Sequence, residues 1–163
     1  MDEARFEAFY RRTAGGLWSY LYRLSGDAAS ADDLLQKAFF RFLRANPALA
    51  SDEHMRRWLF RTATNLAFDH FRETKRERAR SKAARSDAAP SLEPREVLRH
   101  DMMRTFSELK PRERALLWLA HVEEADHEAI GEALGVKAKS VKVLLFRARK
   151  RLAELLTKKG LAP

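Results

Sequence analysis

The chain contains no cysteine among its 163 residues, so it forms no disulfide and offers no thiolate to a metal. Glycine and proline are scarce, at 6 and 5 residues, and the apolar–polar alternation of a strand is nearly absent. Those shortages point to an all-α fold. No apolar run approaches the roughly 20 residues that a spanning helix needs, so no membrane insertion of its own is expected. The opening, MDEARFEAFYRR, begins acidic and has no apolar stretch, which is not the order of a secretory signal. The 5 histidines are scattered. His121 and His127 miss the i, i+4 spacing of a helical zinc pair, and His70 falls on an apolar face as a core residue would. With neither a glycine-rich phosphate loop nor a nucleophile elbow, the expectation is no catalytic residue, no metal site, no cofactor and no enzyme activity.

What the chain has is positive charge. Lys and Arg number 32 against 23 Asp and Glu, a formal net charge of +9, and this favours a polyanionic partner. The stretch from Leu109 to Leu156 reads as helix, helix, a tight turn at Gly135, then a long cationic helix from about Lys139. That is the pattern of a helix-turn-helix, whose second helix lies in the DNA major groove. At about 100° per residue, Val141, Leu145, Ala148 and Leu152 form one stripe with Leu144 at its edge, and this stripe should face the core. The opposite side carries Lys139, Val143, Phe146, Arg147 and Lys150, and no acid appears between Glu132 and Glu154. A face that needed only to be soluble would mix its signs.

Earlier in the chain, a first helix is expected from about Glu3 to Leu24, with Phe6, Phe9, Leu17, Tyr20, Leu21 and Leu24 apolar. Gly15-Gly16 in its middle predicts a kink or a break. After a turn at Ser25-Gly26-Asp27, a second helix should run from about Ser30 to Ala45. Leu34, Leu35, Ala38, Phe39, Phe42 and Leu43 would form its inner face, with Asp32 and Asp33 in the first turn. Its far side holds Asp33, Gln36, Lys37, Phe40 and Arg44, and an aromatic among such residues suits protein docking. A loop over Asn46 to Glu53, capped by Ser51-Asp52, leads to a third helix from about Glu53 to Arg72. Met55, Leu59, Ala63, Leu66 and His70 mark its core side. Trp58, Arg61, Asn65, Phe68 and Arg72 mark the opposite side, where aromatics interleaved with Arg and an amide can follow phosphates and stack on bases. Alternatively, Trp58 and Phe68 pack on the first helix.

Arg72 to Ser91 has almost no large apolar residue and reads as a linker in which parts can continue the third helix. The expected organisation is two small helical domains, residues 1–75 and 94–163, joined by a flexible, polar, basic linker over 76–93. In the second domain Val97, Leu98, Met102 and Phe106 lie on an opening helix that ends near Leu109. Pro111 starts the next helix, which buries Ala115, Leu116, Leu119 and Trp118, and Asp126 caps the helix HEAIGEAL.

Together these pieces resemble the two-domain extracytoplasmic-function (ECF) sigma factors of bacterial RNA polymerase, over nearly the whole chain. SGDAASADDLLQKAFFRFLRA is similar to the family's polymerase-gripping helix, with Asp33, Leu34, Gln36 and Phe39 at its signature positions. MRRWLFRTATNLAFDHFR is similar to the segment that melts and reads the minus-ten element, with Trp58, Arg61 and Asn65 in place. The Leu109–Leu152 stretch is similar to the minus-thirty-five reader. The resemblance implies an alternative sigma factor that binds core RNA polymerase and directs promoter recognition and melting. Polymerase contacts would fall on Asp33, Gln36, Lys37 and Phe40, and minus-ten contacts on Trp58, Arg61, Asn65, Phe68 and Arg72. Minus-thirty-five contacts would fall on Lys137, Lys139, Ser140, Lys142, Val143, Phe146, Arg147 and Lys150. The loop from Asn46 to Glu53, with Asn65 beneath it, would receive an unpaired base. The resemblance further implies an anti-sigma factor as partner, a monomer when free, and a bacterial cytoplasmic location.

The chain departs from the family at several points. Lys137 stands where a Ser or Thr cap is usual, and Lys139 replaces a small residue. Val143 and Leu144 occupy polar positions, and Phe146 stands where His is common. Gly15-Gly16, and Glu124-Ala125 in place of Gly-Leu, are also off pattern. Val143 and Phe146 could meet thymine methyls or bury against a protein. Two other readings therefore stand beside the first: a sigma-like adaptor that binds an anti-sigma factor without reading promoters, and a dimeric helix-turn-helix regulator.

Overall fold

A computed structural model of the chain describes residues 2–47, 51–81 and 94–161, with 94–100 as backbone only. The described residues form seven α-helices and no strand: α1 (Glu3–Ser25), α2 (Ala28–Ala45), α3 (Asp52–Ser81), α4 (Pro94–Ser107), α5 (Pro111–His121), α6 (His127–Leu134) and α7 (Ala138–Lys158). The first three pack on one another, and α7 packs on α4, α5 and α6. The two groups also meet, α3 against α6 and α1 against α5. The Asn46–Glu53 base pocket and the side chains of Val97 and Leu98 fall partly or wholly outside the described residues.

The core of the first group is aromatic. Phe9 and Phe42 stack at 5.1 Å between centroids, and Trp58 meets Phe42 edge-on at 5.7 Å. Each such pair adds about 0.5–1.5 kcal/mol beyond its buried area. Tyr20 is fully buried and its hydroxyl lies 2.8 Å from the Thr64 hydroxyl, which itself donates to the Phe60 carbonyl at 2.7 Å. Tyr20 is therefore the donor in the first bond, and burial pushes its phenol well above the ordinary range.

Several expectations need correction. Helix α1 runs unbroken through Gly15-Gly16. A Cβ on Gly16 would lie 3.3 Å from Glu123 Oε1, so the missing side chain lets α1 approach the second group closely. That contact offsets part of the helical cost of about 1 kcal/mol at Gly16, whereas a Cβ on Gly15 would meet nothing and no contact explains that residue. Helix α2 begins at Ala28, earlier than Ser30, because the Asp27 carboxylate accepts from the Ser30 amide at 3.1 Å as its N-cap. Asp32 and Asp33 consequently lie beyond the first turn, and Asp32 instead accepts from Trp18 Nε1 at 2.6 Å. Helix α3 extends past Arg72 to Ser81. Its last turns are rich in Arg, Glu, Lys and Ala, all good helix formers, which need no buried face over a few turns added to an existing helix.

Inside the helix-turn-helix, Asp126 caps α6 by accepting from the Ala129 amide at 2.8 Å, and Gly135 ends it at φ 70°. Gly131 is the tighter constraint. A Cβ there would sit 2.6 Å from the Val136 carbonyl oxygen, so only glycine lets the chain fold back into α7.

Candidate protein and nucleic-acid interfaces

On α2, Asp33, Gln36, Lys37 and Phe40 are all exposed on one side, with Lys37 Nζ 2.9 Å from Asp33 Oδ2. Phe40 is 63% exposed, and beside it Leu43 is 53% exposed. Leu43, expected on the inner face, lies about 100° round the helix from the centre of the buried stripe and so joins Phe40 outside. The face is thus more apolar than its pattern suggested. Among the family's signature positions, Leu34 and Phe39 are buried core residues, leaving Asp33 and Gln36 for contact.

On α3, Arg61, Asn65 and Arg72 are exposed, whereas Trp58 and Phe68 are half-buried. Trp58 packs against Phe42 of α2 rather than on α1, and borders a recess lined by Arg41, Arg44, Ala45 and Thr62. Phe68 leans on Phe71 at 6.3 Å, and Arg72 pairs with Asp69. The periodic stripe therefore has polar tips over partly sunken rings. The reason is that α3 is buried on more than one side, by α1 and α2 and by α6. The same geometry buries Phe60, Thr64 and Ala67, which fell outside the expected core stripe.

On α7, Lys137, Lys139, Lys142, Val143, Phe146, Arg147 and Lys150 are exposed and Ser140 is half-buried, while Val141, Leu145 and Ala148 face the core. Lys137 is the N-cap residue and makes no side-chain bond to the helix. The Ser140 amide donates to the Lys137 carbonyl at 2.9 Å, and the cap's own side chain satisfies none of the first-turn amides. His121 accepts from Arg149 Nε at 3.1 Å and pins α5 to α7, a structural task.

The residues that join the two groups were not found by pattern. Arg56 pairs with Glu123, and Arg57 reaches Asp126 at 3.1 Å and Glu53 at 3.3 Å. Arg23 lies over both the Tyr22 and Trp118 rings, at 5.4 and 5.8 Å. Arg114 donates to the carbonyls of Leu24 at 2.8 Å, Ser107 at 3.0 Å and Leu109, ending two helices at once. Burial lowers the Arg114 pKa, yet a guanidinium remains charged throughout the physiological range. An arginine immediately before the apolar run ALLWLA, at the end of the charged RER, gave no signal of burial. The ion pairs link residues 67 and 69 positions apart and had none. One off-pattern residue is also explained here, since Glu124 adopts φ 51°, a conformation that favours glycine.

Among the described residues the chain is all-helical, with a partly apolar exposed face on α2 and a helix-turn-helix whose second helix carries exposed cations, an arrangement found in DNA-binding transcription proteins. The family profile described as Sigma-70 region 2 matches residues 9–77, and that described as Sigma-70, region 4 matches residues 99–152. The chain belongs to the sigma-70 family, in the two-region form of the ECF sigma factors. It is 32% identical over 162 residues to the ECF RNA polymerase sigma factor SigE of Mycolicibacterium smegmatis, covering 94% of this chain but only 62% of that protein. Against the ECF RNA polymerase sigma factor SigM of Bacillus subtilis the identity is 29%, over 91% of this chain and 93% of SigM. The fold is similar to that of the sigma factor RpoE in its complex with the anti-sigma factor NepR from Bartonella quintana. The TM-score is 0.74 at 21% identity, covering 94% of this chain and 97% of that one. Among the described residues no helix is long and apolar enough to cross a membrane.

Proposed function

We propose that this chain is an alternative sigma factor, a non-enzymatic initiation subunit that binds core RNA polymerase and carries it to a promoter. The observation that carries this reading is one chain with three separate outward faces. Asp33, Gln36, Lys37, Phe40 and Leu43 on α2 suit a protein. Arg61, Asn65 and Arg72 on α3, with Trp58 and Phe68 at their base, suit a melted strand. The cationic face of α7 suits a duplex groove. Residues 1–75 and 94–163 would act as two working halves joined through 76–93, of which 76–81 continue α3.

The two promoter elements are about 25 base pairs apart, or roughly 85 Å of duplex at 3.4 Å per step. A compact chain of this size has a radius of gyration near 15 Å, so the halves must separate to hold both elements. The packed form then belongs to the free monomer. An anti-sigma protein that covers the α2 and α7 faces is the expected inhibitor, and it supports this expectation that the structural neighbour was crystallised with one.

Run-off transcription from genomic fragments with purified core polymerase tests the reading. A defined start that depends on the chain supports it; polymerase binding without any start overturns it. Arg147→Ala should lower starts about tenfold or more with polymerase binding intact. Phe40→Ala should weaken polymerase binding instead. Equal losses in both assays for both variants would mean that the faces are wrongly assigned.

A further inference from the structure

Val143 and Phe146 are among the more exposed apolar side chains of the described residues, at 49% and 66%, and they sit in the middle of the cationic face of α7. Lys139, Val143, Phe146 and Lys150 follow one another at i, i+4, i+7 and i+11, within about 60° of one another round α7. Lys142 and Arg147 flank them on either side, both exposed. The ridge from Lys139 to Lys150 rises about 16 Å, the length of roughly five base pairs. Apolar residues bounded by cations at both ends and both flanks fit a surface whose rim is anionic and whose floor holds apolar groups.

The DNA major groove is such a surface, and the C5-methyl of thymine is the apolar group that a base edge presents there. A protein partner, such as the inhibitor expected above, would need to supply a matching acidic rim round an apolar spot, whereas every DNA duplex supplies the anionic rim. We infer that Val143 and Phe146 read thymine methyl groups, and that the upstream promoter element carries thymines, on either strand, at two neighbouring base pairs. The two residues lie about 4.5 Å apart along the helix axis, close to one base-pair step. The flanking Lys142 and Lys150 supply phosphate contacts that set affinity, while Arg147 at a base edge and the apolar pair share the reading of sequence. This inference rests on the promoter reading above and deepens it.

The test uses the holoenzyme, assembled from the full chain and core polymerase, on the promoter fragment found by run-off. Deoxyuridine replaces thymidine one position at a time across the upstream element, removing a methyl group and leaving base pairing intact. Two adjacent positions should each lose about fourfold in binding, the size expected when one methyl group is no longer buried. Phe146→Ala and Val143→Ala should each abolish the deoxyuridine effect at one position and keep it at the other, whereas Lys150→Ala should weaken binding and keep both effects. Both apolar side chains are exposed, so the alanine variants should keep the wild-type circular dichroism spectrum. A holoenzyme that starts at a defined site yet binds thymidine and deoxyuridine duplexes equally overturns the methyl readout while the promoter reading stands. Alanine variants that keep full promoter use but lose an inhibitory protein partner would assign the pair to protein docking and also overturn it. A holoenzyme that starts nowhere removes the promoter reading, and this inference with it.

Discussion

The core of the first helical group and the seam between the two groups differ in material: the core is almost wholly apolar, whereas the seam adds ion pairs and buried guanidinium contacts to its apolar packing. The core joins α1, α2 and α3 through Phe9, Leu17, Tyr20, Leu21, Phe42 and Leu59, with one buried hydroxyl pair. The seam joins α1 and α3 to α5 and α6 through Arg56–Glu123, Arg57–Asp126, Arg23 over Trp118 and Arg114 on the Leu24 carbonyl. Apolar burial has no alternative partner in water, so the core is obligatory. Each charged group of the seam can be solvated again on separation, so that part is weakened by salt, while the apolar part around Phe60, Leu119 and Ala133 resists opening as the core does. The proposed function, compact when free and extended on a promoter, would call for that division.

The largest effect should come from breaking the core. Phe42→Ala removes a ring that touches Phe6, Phe9 and Trp58, and should destabilise the chain by about 3–5 kcal/mol in urea denaturation. A loss below about 1 kcal/mol would mean that the first group does not depend on its aromatic packing. Glu123→Gln attacks the seam instead. Glu123 is 11% exposed at its side chain and Arg56 38%, between the surface and buried cases, so about 1 kcal/mol should be lost. The expected signature is a larger radius of gyration by small-angle scattering at unchanged helicity, reproduced in wild type by high salt. Unfolding of either half would show that the seam is part of the core. The smallest effect should be a gain. Glu124→Gly relieves the left-handed conformation between Glu123 and Asp126, offset in part by glycine's flexibility when unfolded, for a net gain of about 0.5 kcal/mol. No gain, or a loss, in the denaturation midpoint would mean that the Glu124 side chain makes a compensating contact.

Much of the surface chemistry was legible in the sequence because it depends on helical period alone. The stripes on α2 and α7 came out as read, apart from Leu43, which sits at an edge where a small tilt decides burial. The stripe on α3 was less legible. A helix buried on several faces has no single apolar side, and Trp58 and Phe68 sank into neighbours that periodicity cannot name. Gly15-Gly16 and Glu124 could be seen as irregular in the sequence, but the reason for Gly16 and Glu124 lay in the seam.

By itself, the sequence determined the helical class, the order of helices, the cap at Asp126, and the cationic face of α7. All of these follow from interactions between residues a few positions apart. Only the tertiary structure decided that α1 stays whole and that Arg56, Arg114 and Glu123 hold the halves together. These depend on pairs of groups far apart in the chain, brought to a few ångströms by how the helices dock, and no local pattern records that distance.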